Sequence, residues 1–421
     1  MFSRRRCILI ADVHLTGRPS PRWLHGPPPL RHGLSGMGER ESRGAYFHDR
    51  VARALYDGDR HHRELEPAEC EIPGVSSFVP DLVELLRFRT GRPNALAVIH
   101  GRLTADGADI VDDLWELGQA QLRPWPLAGW CDEVVLDGFG RHAPSNLFVT
   151  SLVFVTPAEG PLDGVLARVD RDLWTPTDQW LWLLASRLGE DRYAPTAADH
   201  LQARQSTLQL SMDWSAMVRR TGVAFLGLRA DGGDWDVPFT SAEVSVRTTY
   251  LDVVLLGLVQ RQYLAAFADA MALLGDPIEN PNQLRRLEAQ FRRFRNTYWW
   301  QQVTSQEYGN RLLDLFAERN WVGSQFAQVV DELATYSGQV QTAAAERTNA
   351  LVALATIPVV PFAVAFGLIG ALHLDGVTSA ALALGLALAV SLLVLATAAG
   401  RRSIEALLPD RSRSADDDAC Q

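Results

Sequence analysis

Residues 350–399 read ALVALATIPVVPFAVAFGLIGALHLDGVTSAALALGLALAVSLLVLATAA, and Asp375 is the one Asp, Glu, Lys or Arg among them. The stretch contains two apolar runs, Ala350–Leu372 and Val377–Ala399, which are joined by His373, Leu374, Asp375 and Gly376. An α-helix rises about 1.5 Å per residue, so roughly 20 residues cross the hydrocarbon core of a bilayer. Each run is long enough, and together they predict a C-terminal transmembrane hairpin.

The charges that flank the hairpin predict its orientation. Arg347 precedes the first run, and Arg401 and Arg402 follow the second, whereas the turn has neither Lys nor Arg. Positive charge stays on the cytoplasmic side, so both termini are expected in the cytoplasm of a multi-pass plasma-membrane protein. Residues 400–421, which include Asp416-Asp417-Asp418, are expected to form a disordered cytoplasmic tail.

Composition narrows the classes of partner. The chain has 40 basic and 50 acidic residues, a net charge of −10, and every basic residue other than histidine is arginine. A negative balance is unfavourable for general nucleic-acid binding, so no nucleic-acid partner is predicted.

The four cysteines lack CxxC spacing and indicate reduced thiols. Arg4-Arg5-Arg6 precedes an apolar stretch that is too short for a signal peptide.

Residues 1–245 have the pattern of a cytoplasmic domain that mixes strands and helices, an α+β class. Apolar runs predict strands at 5–14, 95–100, 133–136, 147–155 and 223–228. Helical spacing predicts helices near 78–88, 109–122, 162–173 and 179–188. The pattern alone leaves the topology of the sheet open.

A third apolar stretch lies before the hairpin. Thr248–Leu274 carries Asp252, Arg261 and Asp269, and a charge near the bilayer centre costs about 2.5–3.5 kcal/mol. We therefore predict an amphipathic helix over 246–275, buried or facing another subunit, rather than a third membrane span.

Residues 280–349 have a heptad pattern. Asn280 and Pro281 suit the start of a helix. From Leu284 to Val340 the seam positions alternate three and four residues apart, and most are apolar or aromatic. The pattern predicts one long stalk helix with a coiled-coil seam. A long helix packed on its own domain is the alternative, and a break near Asn320–Ser324 is the weakest point of the prediction.

The order of soluble domain, long helix, span, short turn and span resembles the CorA family of divalent-cation transporters. Glu346-Arg347-Thr348-Asn349 leads into the first span as similar residues do in that family, and Pro361, Gly367 and Gly370 keep the family's spacing. The resemblance implies a homopentamer whose first spans line a pore, whose long helices form a funnel, and whose substrates are divalent cations.

The chain departs from that family at the pore mouth. Gly370-Ala371-Leu372 stands where the family has Gly-Met-Asn, and leucine has no group that can hold a hydrated ion. The candidate pore and selectivity residues are Thr356, Pro358, Pro361, Gly367, Gly370, Ala371, Leu372, His373 and Asp375. Small residues on the second span predict close helix packing at Ala381, Gly385 and Ala389, and in parallel at Ala383, Ala387 and Ser391.

Candidate catalytic chemistry is incomplete. A strand that ends in Asp12-Val13-His14 resembles the first metal motif of calcineurin-like metallophosphoesterases, but Gly58-Asp59 completes no second motif. His48, His61 and His62, near Asp49, Asp57 and Asp59, fit a metal site or a solvated polar loop, and the loop is favoured. The sequence predicts no cofactor, assigns no metal ligand and predicts that the chain is not an enzyme.

Three functions remain open from the sequence. The first is a CorA-like oligomer that conducts ions through an altered filter. The second is a membrane-anchored signalling or defence component that does not transport, whose soluble domain binds a partner or ligand. The third is a membrane-tethered enzyme, which is supported by the Asp12 motif alone.

Overall fold

The computed structural model describes residues 2–29, 39–56, 59–88, 93–119, 124–371 and 377–396. They form a mixed α/β fold, with a sheet domain in the N-terminal part and long helices in the C-terminal part. The chain divides into two units. The first comprises Met1–Ala272 and Ala289–Val329, and the second comprises Leu273–Glu288 and Val330–Gln421.

One mixed sheet organises the first unit. Its strands in the described residues are β1 (Phe2–Leu15), β2 (Leu24–His25), β3 (Arg60–Glu64), β4 (Phe78–Arg87), β5 (Ala95–Leu103), β6 (Gly140–His142), β7 (Thr150–Pro157), β8 (Thr207–Gln209), β9 (Trp214–Arg219) and β10 (Gly222–Gly227). Their order is β2-β3-β4-β5-β1-β7-β10-β9-β8, and β6 pairs with β1. The pairing of β7 with β10 is parallel, and the other pairings are antiparallel.

The helices in the described residues are α1 (Glu39–Tyr46), α2 (Asp49–Tyr56), α3 (Asp109–Gly118), α4 (Ala128–Trp130), α5 (Pro176–Ser186), α6 (Ala197–Gln205), α7 (Val237–Ser245), α8 (Leu251–Ala272), α9 (Pro281–Thr297), α10 (Glu307–Arg319), α11 (Val322–Ala371) and α12 (Val377–Ala396). A π-helical turn, Cys131–Val135, extends α4, and another, Val246–Tyr250, joins α7 to α8.

The central strand β1 buries both of its faces. Successive side chains of a strand point to opposite sides, so Cys7, Leu9 and Ala11 share one face and enter the core cluster that also holds residues of α3 and α5. Ile8 and Ile10, on the other face, are equally buried. Because both faces are covered, the sequence of this strand is a nearly continuous apolar run.

Helix α8 is a core helix of the first unit. Together with α7 and the π-helical turn it is apolar enough and long enough to cross a membrane, but 78% of its apolar stretch is buried within the chain. A Cβ atom added to Gly257 would lie 2.5 Å from the Phe316 ring of α10, which shows how closely the two helices pack. The burial predicted for this helix agrees with the structure, but its predicted amphipathic character is wrong over Leu251–Gln260, where every residue is buried.

The single helix predicted over 280–349 is wrong. Between α9 and α10 the backbone leaves the helix and pairs with another segment, since Thr304 bridges Phe47 and His48 N–H donates to Val303 O at 2.9 Å. A second break falls at Trp321, whose φ of 53° lies in the left-handed region. That break lies inside the segment marked above as the weakest point, and α11 continues beyond it.

Most of the predicted local elements are confirmed. The strands at 5–14, 95–100, 147–155 and 223–228 correspond to β1, β5, β7 and β10, and the helices near 109–122 and 179–188 correspond to α3 and α5. Three predictions are wrong: residues 78–88 contain strand β4, residues 133–135 are helical, and 162–173 contains no α-helix.

Candidate functional site

The apolar C-terminal helices leave most of their described side chains exposed. By length and composition α11 could cross a membrane: its apolar stretch has a mean hydropathy of 2.2, and only 12% of that stretch is buried. Val359, Val360 and Phe366 are 62%, 58% and 61% exposed. Helix α12 is also apolar, and its Leu382 and Leu393 are 75% and 71% exposed. A contiguous apolar surface of this kind marks an interaction site for lipid or protein.

The predicted pore residues fall along α11 and beyond it. Thr356 is exposed, and its hydroxyl donates to carbonyls of its own helix, at 2.9 Å to Val352 O and 3.0 Å to Ala353 O. Pro361 is half-buried and Gly367 is exposed. The other candidates are either helical residues whose surroundings are not described, Pro358, Gly370 and Ala371, or residues outside the described ranges, Leu372, His373 and Asp375.

The small residues of α12 divide into two faces. Ala387 and Ser391 are buried, and the Ser391 hydroxyl lies 3.5 Å from Ile357 O of α11 and 2.8 Å from Ala387 O. This face packs the two helices against each other. Ala381, Gly385 and Ala389 are exposed, so their predicted role in packing against a further helix stays a prediction.

A charged cluster lies buried beneath α8. The Asp252 carboxylate accepts hydrogen bonds from the Arg43 guanidinium at 3.1 and 3.2 Å and from the Tyr56 hydroxyl at 2.7 Å, and it pairs with the Arg60 guanidinium at 2.7 Å. Arg60 also donates to Glu84 at 2.7 and 2.9 Å. Asp252, Arg60 and Glu84 are each fully buried, so this cluster ties α8 to α1, β3 and β4 rather than facing a ligand.

Burial and ion pairing shift the pKa values of this cluster in opposite directions. Burial alone would raise the pKa of Glu84, but the charge of Arg60 and a hydrogen bond from His100 at 2.8 Å hold that pKa far below its ordinary value. Burial lowers the pKa of His100 in spite of that hydrogen bond. The cluster is therefore a set of fixed charges on which the fold depends.

The Asp12 carboxylate accepts several hydrogen bonds from neighbouring protein groups. It accepts from Gln262 Nε2 at 2.8 Å, from the backbone N–H of Ser145 at 3.2 Å and from the Ser145 hydroxyl. A small polar niche beside it is lined by His142 and Arg261. Burial lowers the pKa of both His142 and Arg261. This arrangement positions the carboxylate between β1, α8 and the loop after β6.

The favoured solvated loop is wrong for His61 and His62, which lie in strand β3, and His62 is buried. His61 stacks on His25 with ring centroids 5.4 Å apart, and His62 Nδ1 lies 2.7 Å from Gly26 O. Asp57 lies outside the described residues. Within the described ranges, no group of three His, Cys, Asp or Glu side chains is arranged to hold a metal ion.

An arginine-lined groove of about 640 Å³ lies on the first unit, beside the start of β1. Its charged lining comes from β1, β5, α7 and the loop before α7: Arg4, Arg5, Arg6, Arg102, Asp234 and Glu243. Arg4 pairs with Asp231 at 2.8 Å and with Glu243 at 2.9 Å. Arg6 pairs with Glu243 at 2.6 Å and with Asp81 at 2.8 Å.

Positive charge exceeds negative charge at the groove. Arg102 lies directly opposite Arg6 in the β1–β5 ladder and is exposed. Among the described residues no carboxylate pairs with Arg102. Burial, and then the neighbouring Arg6, lower the pKa of Arg247 although Asp81 lies 3.1 Å away. Like charges opposite each other in a ladder are unfavourable, and in this pair Glu243 and Asp81 offset the charge of Arg6, whereas Arg102 has no such carboxylate among the described residues.

Sequence reasoning missed this groove. Arg4-Arg5-Arg6 attracted notice only as the possible start of a signal peptide, whereas Arg102 lies far away in the chain. The pairing of β1 with β5 brings them together. The usable signal was a run of arginines that enters a predicted strand, which is an unfavourable arrangement without partners on both faces.

Comparison with known proteins gives no relative. No protein-family model, no curated protein and no solved structure matches the chain.

Proposed function

We propose that the chain is an integral membrane protein whose folded sheet domain is anchored to a bilayer by α11 and α12. The observation that carries the proposal is the exposure of apolar side chains along α11 beyond Ala350, where 12% of the apolar stretch is buried. Burial of apolar surface contributes about 25 cal/mol per Å². A bilayer supplies that burial along both helices.

The anchor does not itself imply transport. Between Leu351 and Gly367 the sequence has no charged side chain, and Thr356 is its single hydroxyl. That hydroxyl donates to its own helix, which supports a lipid-facing or packed position over an ion site. We therefore favour a non-transporting, membrane-anchored component whose soluble domain binds a ligand or partner.

The test is membrane flotation after alkaline carbonate washing of cells that express the full chain. We expect the protein to float with the membranes. Val360→Arg combined with Val364→Arg should release it, because each charge near the bilayer centre costs about 2.5–3.5 kcal/mol.

The matched control is Gln339→Arg with Gln341→Arg, which places the same charges on exposed positions of α11 before the apolar stretch. The control should float like the natural chain. A natural chain that is soluble after the wash, or equal release of both variants, would contradict the proposal.

Ion conduction by a CorA-like oligomer is the second candidate. The exposed face of Ala381, Gly385 and Ala389 favours it, because small residues allow helices of neighbouring subunits to approach closely. In proteoliposomes, uptake of Mg²⁺ or Co²⁺ that changes on Leu372→Asn and a pentameric mass would support this candidate. A flux equal to that of empty liposomes would exclude it.

A further inference from the structure

We propose that the arginine-lined groove binds a small molecule through a terminal phosphate group, which Arg102 contacts. The site belongs to the first unit alone. The inference is therefore independent of whether α11 and α12 enter a membrane, and the two proposals can fail separately.

The positions of the charges carry this inference. The carboxylates Asp231, Glu243 and Asp81 are already engaged by Arg4, Arg6 and Arg247. Arg102 remains without a carboxylate among the described residues and stands opposite Arg6. An arginine binds phosphate through paired N–H donors, and Arg102 can offer them because its charge is not engaged by a described carboxylate, whereas Arg6 already pairs with Glu243 and Asp81.

The dimensions and lining of the groove limit the ligand. Its volume of about 640 Å³ lies within the range of about 300–1,000 Å³ that is usual for small-molecule sites. The described lining has no aromatic ring, and its apolar part consists of Val79, Leu103 and Val244. The groove therefore suits a compact phosphorylated molecule, and its described lining offers no aromatic ring for a nucleobase.

Asp234 allows a second test, because its negative charge opposes the binding of a phosphate group. This carboxylate lines the groove and is exposed. Its charge repels a phosphate, so Asp234→Asn should strengthen binding, whereas Arg102→Gln should weaken it. Opposite shifts from two substitutions in one groove are not expected from a general loss of folding.

The experiment is calorimetric titration of the full-length protein in detergent at low salt, with pyrophosphate as the probe. We expect Arg102→Gln to weaken the affinity about tenfold, as loss of a charged hydrogen-bonded pair does. Asp234→Asn should strengthen it about threefold, and added NaCl should weaken it because salt screens the charges. Arg204→Gln, on exposed α6, is the matched control and should have no effect.

A phosphate group could belong to a soluble metabolite or to a lipid headgroup, so dihexanoyl phosphatidic acid below its micelle concentration is titrated in parallel. Arg102-dependent binding of pyrophosphate supports a soluble ligand, and Arg102-dependent binding of the lipid alone supports a headgroup. Both outcomes uphold a phosphate site. The proposal would be overturned if neither probe binds, or if Arg102→Gln and Arg204→Gln lose affinity equally.

Discussion

Two apolar helices, α8 and α11, are both long and hydrophobic enough to cross a membrane, yet their surroundings differ. In α8 78% of the apolar stretch is buried, against 12% in α11. Helix α8 carries Asp252, whose charge is met by Arg43 and Arg60, whereas the apolar stretch of α11 beyond Ala350 has no charge to match. Hydropathy therefore identifies apolar helices, and the partners of the rare charges distinguish a core helix from a candidate span.

The largest expected effect comes from placing the same charge on both helices. Leu255→Arg buries an unpaired cation in α8, at a cost of several kcal/mol against a typical total stability of about 5–15 kcal/mol, so the first unit should unfold. Val360→Arg, on an exposed position of α11, should leave that unit folded. Near-UV circular dichroism of the detergent-purified chain reports its buried tryptophans. If Val360→Arg unfolds the first unit and Leu255→Arg does not, the comparison is contradicted.

A smaller effect is expected when the charge on α8 is removed. Asp252→Ala leaves Arg43 and Arg60 buried without this partner, and breaking a buried pair costs about 3–5 kcal/mol. Asp269→Ala, on an exposed position of the same helix, should change stability by less than about 0.5 kcal/mol. Denaturant unfolding of the full chain in detergent measures both. Equal effects would mean that the buried cluster does not stabilise α8.

The smallest effect concerns pH. The pKa of His100 is lowered from 6.5 by burial, and that of Glu84 is lowered from 4.5 by Arg60 in spite of burial. A lowered folded pKa contributes stability above the unfolded value and loses it as pH falls. The melting temperature should therefore fall below about pH 6.5 and fall more steeply below about pH 4.5.

His100→Gln isolates the histidine part of this effect, because burial also lowers the pKa of His61 and His142. The variant should show a flatter melting profile than the natural chain between about pH 7.5 and pH 5. A parallel profile would show that His100 does not contribute.

The sequence predicts the central strands well because they are continuous apolar runs. It mistakes β4 for a helix because Phe78–Arg87 combines apolar residues with Asp81 and Glu84, a pattern that suits either period. The buried pairing of Glu84 with Arg60 and His100 makes the strand possible. The helix predicted near 162–173 fails because the Gln179 side chain accepts from the N–H groups of Val165 and Leu166 at 2.8 and 2.9 Å.

The candidate sites were predictable only where they are local in sequence. The exposed apolar helices follow from composition alone. The arginine-lined groove depends on Arg6 and Arg102 meeting in a ladder, which no local pattern reveals. The failure of the long stalk helix has a similar cause: the segment from Tyr298 to Gln306 is held by partners distant in sequence, such as Gln260, whose side-chain amide donates to Tyr298 O at 2.8 Å.

The place of β1 in the sheet has a consequence for biosynthesis. This strand precedes both of its main neighbours, β5 and β7, along the chain, so its apolar residues must await partners that are synthesised later. Pairing between distant segments is slow and leaves unpaired strand edges open to aggregation in the meantime. Assembly of the domain should therefore depend on protection of the nascent β1 segment until β7 has been synthesised.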